Sequence, residues 1–149
     1  MAHATKKAKL GRPAILGREF RVQSCMFYIS TRAEKPRGSE PTIESGAWIE
    51  LSGECDEPIL GSCGITLTLH PEAKWAPGPR PPPSIGGIIQ FRPQLQAVVH
   101  IPVAEFDRAW SLGVAGHLKF GYFACTEPRN RYSAIVSIAL TNKSEADRD

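Results

Sequence analysis

Strict alternation of apolar and polar residues is the feature that most constrains the fold of this chain. The alternation recurs between residues 20 and 141, and Gly or Pro separates most of the runs. Side chains of a strand point to opposite faces in turn, so this pattern predicts half-buried strands, each with one packed face. The clearest run, 59–70, places four apolar residues on one face: Cys63, Ile65, Leu67 and Leu69. Residues 31–46 predict a loop and 56–58 a turn, and a phase slip near Ser24 predicts a bulge or a strand that changes partners there.

Strands of this kind must each cover one face, and two stacked layers or a closed barrel achieve that most simply. We therefore predict an all-β fold: a single antiparallel β-sandwich of seven or eight strands with one short helix, with a barrel as the alternative. The helix is predicted for 103–112, where Phe106, Ala109 and Trp110 share one face and Pro102 suits the first turn. Residues 71–87 hold six of the 13 prolines and predict a crossover between two sets of strands.

The charge distribution divides the chain into three parts. Residues 1–18 are predicted to be a flexible basic arm, 19–142 the β domain, and 143–149 a disordered acidic tail. The chain starts without the apolar stretch of a signal peptide and holds no apolar run of membrane-spanning length, so we expect a cytoplasmic protein without membrane contact.

The basic arm is the first candidate site. Lys6, Lys7, Lys9 and Arg12 could neutralise phosphates of a nucleic acid without reading its sequence. Gly11-Arg12-Pro13 resembles the core of the minor-groove AT-hook, although Leu10 stands where that motif has its first Arg. A solvated terminus explains the same residues without a ligand.

Outward-facing aromatic residues are the second candidate. Trp48 and Phe123 fall opposite the main apolar phase, and Trp75 lies in the proline-rich stretch. Exposed rings can stack on sugars or contact a partner, whereas burial between layers would make them core residues. The residues predicted for a ligand or partner surface are Trp48, Glu50, His70 and Trp75.

Catalytic and metal sites are not predicted. We expect the four cysteines to be reduced thiols, with one disulfide or a metal site as alternatives. They are Cys25, Cys55, Cys63 and Cys125. His70, His100 and His117 fall on outward phases and would meet at a metal only if their strands were adjacent. Acidic residues flank Cys55, but such a cluster is typical of a solvated turn, and His100 or His117 could act as a base for this thiol only if the fold brought it close. We therefore expect no catalytic residue and no cofactor.

These observations favour a non-enzymatic protein that acts through protein–protein contacts, and a homo-oligomer is one form of such contact. Several strands are apolar on both faces, as at Val98 and Val99, so something must cover each face. Two alternatives remain: a nucleic-acid-associated protein tethered by its basic arm, and a sandwich that binds a carbohydrate or another small ligand.

Overall fold

Strands dominate the computed structural model, which describes residues 13–35, 38, 40–72 and 83–147. In chain order the elements are β1 (Ile15–Glu34), β2 (Thr42–Ile59), β3 (Ser62–Glu72), β4 (Gly86–Gln90), β5 (Leu95–Pro102), helix α1 (Val103–Val114), β6 (Phe120–Thr126), β7 (Ser133–Thr141) and a short 3-10 helix (Glu145–Asp147).

The strands pair in the order β1-β2-β3-β5-β4-β7-β6, and β6 pairs back onto β1, so the hydrogen-bonded ring is closed. All neighbours are antiparallel except β3 and β5, which are parallel. The predicted all-β class with one short helix is confirmed. The closed ring of strands corresponds to the barrel alternative. The buried interior that alternate side chains share is the one that the sandwich prediction requires.

The interior is filled by the side chains that the alternation assigned to it. Leu67 and Leu69 of β3 are fully buried, as are Ile49 and Leu51 of β2. Phe123 differs from its expected outward phase, because β6 turns it inward, where its ring lies 6.1 Å from that of Phe20. It is therefore a core residue.

The first two strands are longer than predicted. The sequence indicated a loop over 31–46, yet β1 and β2 stay paired out to Glu34 and Thr42. Ala33 and Ile43 are the only apolar residues in the sequence from 31 to 46, too few to mark these positions as strand by alternation. At its other end β1 begins at Ile15, so the last residues of the predicted basic arm pair with β6.

An irregularity in β1 appears where the phase of its apolar residues slips. Val22 pairs with Gly53 and Ser24 with Ser52, which leaves Gln23 as the extra residue of a bulge. A Cβ on Gly53 would lie 1.8 Å from the carbonyl oxygen of Arg21, so only glycine fits opposite the bulge.

The turn between β2 and β3 lies later than predicted. The sequence predicted a turn at 56–58, but these residues belong to β2. The pairing of β2 with β3 is irregular between Glu54 and Ile59. The chain reverses instead at Leu60 and Gly61, both at positive φ (47° and 81°), as a two-residue hairpin of the type I′ kind requires.

Helix α1 follows β5 directly, as predicted, and lies against β3 and β5. Its Phe106 and Ala109 are buried, and the Trp110 ring lies 4.9 Å from that of Phe27 and 5.8 Å from that of Phe106. Within the described ranges, no helix has the length and apolar character needed to cross a membrane.

Candidate functional site

Four aromatic rings lie side by side on the outer face of β1, β2, β3 and β5. Tyr28 pairs with Trp48, and His70 pairs with His100. The ring centroids are 3.8 Å apart for Tyr28 and Trp48, 6.1 Å for Trp48 and His70, and 5.4 Å for the two histidines. We call Tyr28, Trp48, His70 and His100 the aromatic row.

The row exists because each strand carries its ring at the same level of the sheet. Directly opposed outward residues on neighbouring strands have Cβ atoms about 5 Å apart, which suits contact between rings. The next outward level holds Met26, Glu50 and Thr68, paired in that order across β1, β2 and β3. Glu50 therefore shares the face of Trp48 and lies one outward position from it.

A carboxylate and two imidazoles set the electrostatics at the β5 side of the row. His100 Nδ1 lies 2.8 Å from Glu72 Oε1, and both side chains are partly exposed. Burial lowers the pKa of His70, the neighbouring His100 lowers it further, and Glu72 opposes the shift. His70 is therefore neutral at pH 7 and can accept as well as donate a hydrogen bond.

A polar cleft of about 430 Å³ adjoins the Tyr28 end of the row and is lined by Tyr28, Ser30, Arg32, Ser45 and Gly46. Ser30 and Gly46 face each other in the β1–β2 register, and their small size leaves the space open. Arg32 forms an ion pair with Glu34 on the same strand. The cleft thus combines the aromatic ring of Tyr28, the hydroxyl group of Ser30 and the guanidinium of Arg32.

The paired residues 29–34 and 42–47 continue past the aromatic row, and we call them the β-arm. Its second face carries apolar side chains, and two of them are largely exposed: Ile29 (68%) and Ile43 (77%). On the far side of β1, pairing with β6 stops at Arg21. Within the described ranges no strand lies beside β1 on that side from Ser24 to Thr31.

A second cleft, of about 560 Å³, lies between α1 and β7. It opens because β4 is short and pairs with β7 only as far as Ile135. Its lining is mostly apolar and includes Ile101, Ala109, Leu112, Ile138 and Leu140.

The four cysteines are free thiols. Burial raises the pKa of Cys55 to about 12, and nearby Asp56 adds to the shift. Cys55 is therefore protonated at neutral pH, which makes it a poor nucleophile. In the part of the chain that the structure describes, no three His, Cys, Asp or Glu side chains lie together as a metal site would need.

The structure brings Trp48, Glu50 and His70 onto one face, and it adds His100, which the sequence marked only as a possible metal ligand. Sequence reasoning missed Tyr28 and Arg32, although both share the outward phase of β1. Knowing that phase is not enough, because only the register shows which rings meet. His117 is exposed and follows α1, where it lines a pocket with Leu112 and Leu140.

The other predicted site residues, Trp75 and the basic Lys6, Lys7, Lys9 and Arg12, lie outside the described residues, so the nucleic-acid tether stays a prediction.

No protein-family model matches the chain, and searches of curated proteins and of solved structures found no similar protein.

Proposed function

We propose that this protein acts without catalysis, through protein–protein contact, and that the contact is the pairing of two copies along β1. The observation that carries this proposal is the edge of β1 between Ser24 and Thr31, which has β2 on one side and no described strand on the other. A strand edge of this kind presents backbone donors and acceptors to any chain that can pair with it.

The sequence of this edge favours pairing. Natural edge strands are protected by charged residues, by proline or by short length. Residues 22–31 contain no charged residue and no proline, whereas the part of β1 already paired with β6 carries Arg18, Glu19 and Arg21. The unprotected stretch coincides with the stretch that lacks a neighbouring strand, which is the arrangement expected of an interface.

The exposed apolar face of the β-arm gives a second reason for a partner. A two-stranded hairpin is only marginally stable alone in water, and this one leaves Ile29 and Ile43 mostly in solvent. Burying one such side chain completely is worth about 1.5–3 kcal/mol. A partner that covers this face would stabilise the β-arm as well as bind to it.

A second copy fits this edge because antiparallel pairing of two identical strands is self-complementary about a two-fold axis. We place the axis at Ile29, within this edge, so that the Ile29 side chains of the two copies stand directly opposite each other. The apolar side chains of the two copies then contact each other, and the sheet continues from one copy into the other.

The test is the oligomeric state of matched variants, measured by sedimentation velocity over a range of concentrations. We expect the wild-type protein to dimerise and Ile29→Lys to remain monomeric with an unchanged circular dichroism spectrum. Ile89→Lys is the control, because Ile89 is also a strand isoleucine and is 60% exposed, but lies on β4. A wild-type protein that stays monomeric at its highest soluble concentration, or an Ile29→Lys dimer as stable as the wild type, would overturn the proposal.

A further inference from the structure

We infer that Cys55 and Cys63 form a redox-active pair, which a low-molecular-weight disulfide such as glutathione disulfide oxidises to an intramolecular disulfide. Cys55 belongs to β2 and Cys63 to β3, on either side of the hairpin turn at Leu60 and Gly61. The inference does not depend on dimer formation, because both thiols belong to the same hairpin of one copy.

The pairing of β2 with β3 brings the two cysteines together. Glu54 pairs with Gly64, and Cys55 and Cys63 are the next residues of the two strands toward the turn. Opposed residues of antiparallel strands have Cα atoms about 4.5–5.5 Å apart, and disulfides span about 4.4–6.8 Å between Cα atoms. The pairing is irregular from Glu54 to Ile59, so the backbone here can adjust to a disulfide without disrupting regular pairs.

The two thiols differ in exposure, and this difference assigns their roles. Cys55 is 6% exposed, whereas Cys63 is only partly buried. Burial and then Asp56 raise the pKa of Cys55, and an ionised Cys63 raises it further, which is the effect expected of a neighbouring thiolate. Cys63 is therefore the thiol that meets the small disulfide, and Cys55 is the thiol that resolves the mixed disulfide.

Arg18 favours the ionised form of Cys55. It pairs with Phe123, whose ring is fully buried, so both side chains point into the ring of strands. Arg18 donates hydrogen bonds to the carbonyl oxygens of Gly17 and Pro58, while its Nε is buried without a hydrogen-bond partner among the described residues. Burial remains the largest influence on the pKa of Cys55, but Arg18 lowers that pKa.

The other two cysteines lie outside this hairpin. Cys125 is fully buried on β6, and β1 separates β6 from β2. Cys25 lies beneath α1, because a Cβ added to Gly113 of that helix would be 3.3 Å from Cys25 Sγ. Both serve as internal references for an exchange reaction that is confined to the hairpin.

The reaction is thiol–disulfide exchange in two steps. The thiolate of Cys63 attacks one sulfur of glutathione disulfide, which releases one glutathione and leaves Cys63 in a mixed disulfide. The sulfur of Cys63 is then uncharged and no longer opposes the ionisation of Cys55. Cys55 loses its proton to solvent and attacks Cys63 Sγ, and the second glutathione leaves. Two thiols are thereby oxidised to one disulfide, and one glutathione disulfide is reduced to two glutathiones.

The experiment incubates the reduced full-length protein with glutathione disulfide at neutral pH and blocks the remaining thiols with iodoacetamide in denaturant. Digestion with an endoproteinase that cleaves after acidic residues separates the two cysteines at Glu57, and mass spectrometry maps the linked peptides. We expect a disulfide between Cys55 and Cys63 that dithiothreitol reduces, with Cys25 and Cys125 alkylated. Alkylation of both Cys55 and Cys63, or a link from Cys55 to Cys125, would overturn the inference.

Cysteine variants separate the two steps. Cys55→Ala should stop at a mixed disulfide of glutathione with Cys63, and Cys63→Ser should take up no glutathione at Cys55. Cys125→Ser is the control and should form the hairpin disulfide at the wild-type rate. An unmodified Cys63 in Cys55→Ala, or glutathione bound to Cys55 in Cys63→Ser, would contradict the assigned roles.

Arg18 is tested as a positioning residue by the rate of the second step. Arg18→Gln should slow closure of the disulfide, so that the mixed disulfide at Cys63 accumulates. Arg18→Lys keeps the positive charge and should close the disulfide faster than Arg18→Gln. Circular dichroism checks that both variants keep the fold, and equal closure rates in the two would overturn the role of the Arg18 charge.

Discussion

Trp48 lies against Tyr28 with the ring centroids 3.8 Å apart and the planes 17° from parallel. The two residues are directly paired across β1 and β2, at the base of the β-arm. The contact connects the arm, whose second face lacks a core to pack on, to the closed ring of strands below. It also leaves one face of Tyr28 at the rim of the sheet.

The first prediction concerns the strength of this contact. Stacked aromatic pairs contribute about 0.5–1.5 kcal/mol beyond the area that they bury. A double-mutant cycle of Tyr28→Leu and Trp48→Leu, measured by urea unfolding, should give a coupling energy in that range. Tyr28→Leu combined with Trp110→Leu, whose ring packs on Phe27 and Phe106 instead, should be close to additive. Additivity of the first pair would show that the stack contributes nothing.

The second prediction concerns acid. The folded-state pKa of His70 is lowered from its ordinary value of 6.5, mainly by burial and then by His100. As the pH falls, the unfolded chain therefore binds a proton at His70 before the folded chain does. The contribution of neutral His70 to stability is complete above pH 6.5 and is lost as the pH falls toward the folded-state pKa. The free energy of unfolding of the wild type should decrease as the pH falls from 7 to 5, and that of His70→Gln should decrease less. His117→Gln, at an exposed histidine, should follow the wild type.

The third prediction concerns alkali. The pKa of Cys55 is raised to about 12 by burial and by Asp56. In the unfolded chain an ordinary thiol ionises near pH 9, so folding loses stability as the pH rises from about 9 toward 12. We expect the midpoint of thermal unfolding to fall over this range, and to fall less in Cys55→Ala. Equal alkaline loss in both proteins would contradict the assignment.

The fourth prediction concerns the β2–β3 turn. Leu60 has a φ of 47°, a left-handed conformation that costs an ordinary L-residue about 1–2 kcal/mol. Leu60 is exposed, so little packing is lost on replacement. Leu60→Asn should raise the free energy of unfolding by about 0.5–1 kcal/mol, while Leu60→Ala, which keeps a Cβ without a polar group, should not. A destabilised Leu60→Asn would show that the Leu60 side chain is needed.

The fifth prediction concerns the contact between β6 and the core. A Cβ on Gly121 would lie 2.2 Å from the ring of Phe20, which is fully buried. Gly121→Ala must displace that ring and should cost about 1–3 kcal/mol. Gly64→Ala is the control, because its nearest neighbour would be Gln94 Cβ at 3.5 Å. Similar urea midpoints for the two variants would contradict the packing.

The alternation of the sequence was sufficient to predict the strands that face the interior. Leu67 and Leu69 are buried because their phase matches the pleat, and the slip after Val22 correctly marked a bulge. The outer part of the β-arm, 31–34 and 42–46, was missed because Ala33 and Ile43 are its only apolar residues, too few to set a phase.

The aromatic row could not be predicted because it depends on register between distant strands. Trp48 and His70 were each assigned outward, but their contact requires β2 and β3 to be offset by the turn at Leu60, which was misplaced. His100 joins them only because β3 and β5 are parallel, a pairing that the intervening proline-rich stretch does not reveal.

The most direct test of the central claim, pairing of two copies along β1, is a cross-link at the proposed two-fold axis. The protein carrying Ile29→Cys and Cys25→Ser would be oxidised with glutathione disulfide and mapped by mass spectrometry. We predict a covalent dimer joined through position 29 of both copies, and none for Ile89→Cys in the same background. A monomeric product for Ile29→Cys, or equal dimer formation at both positions, would contradict the account.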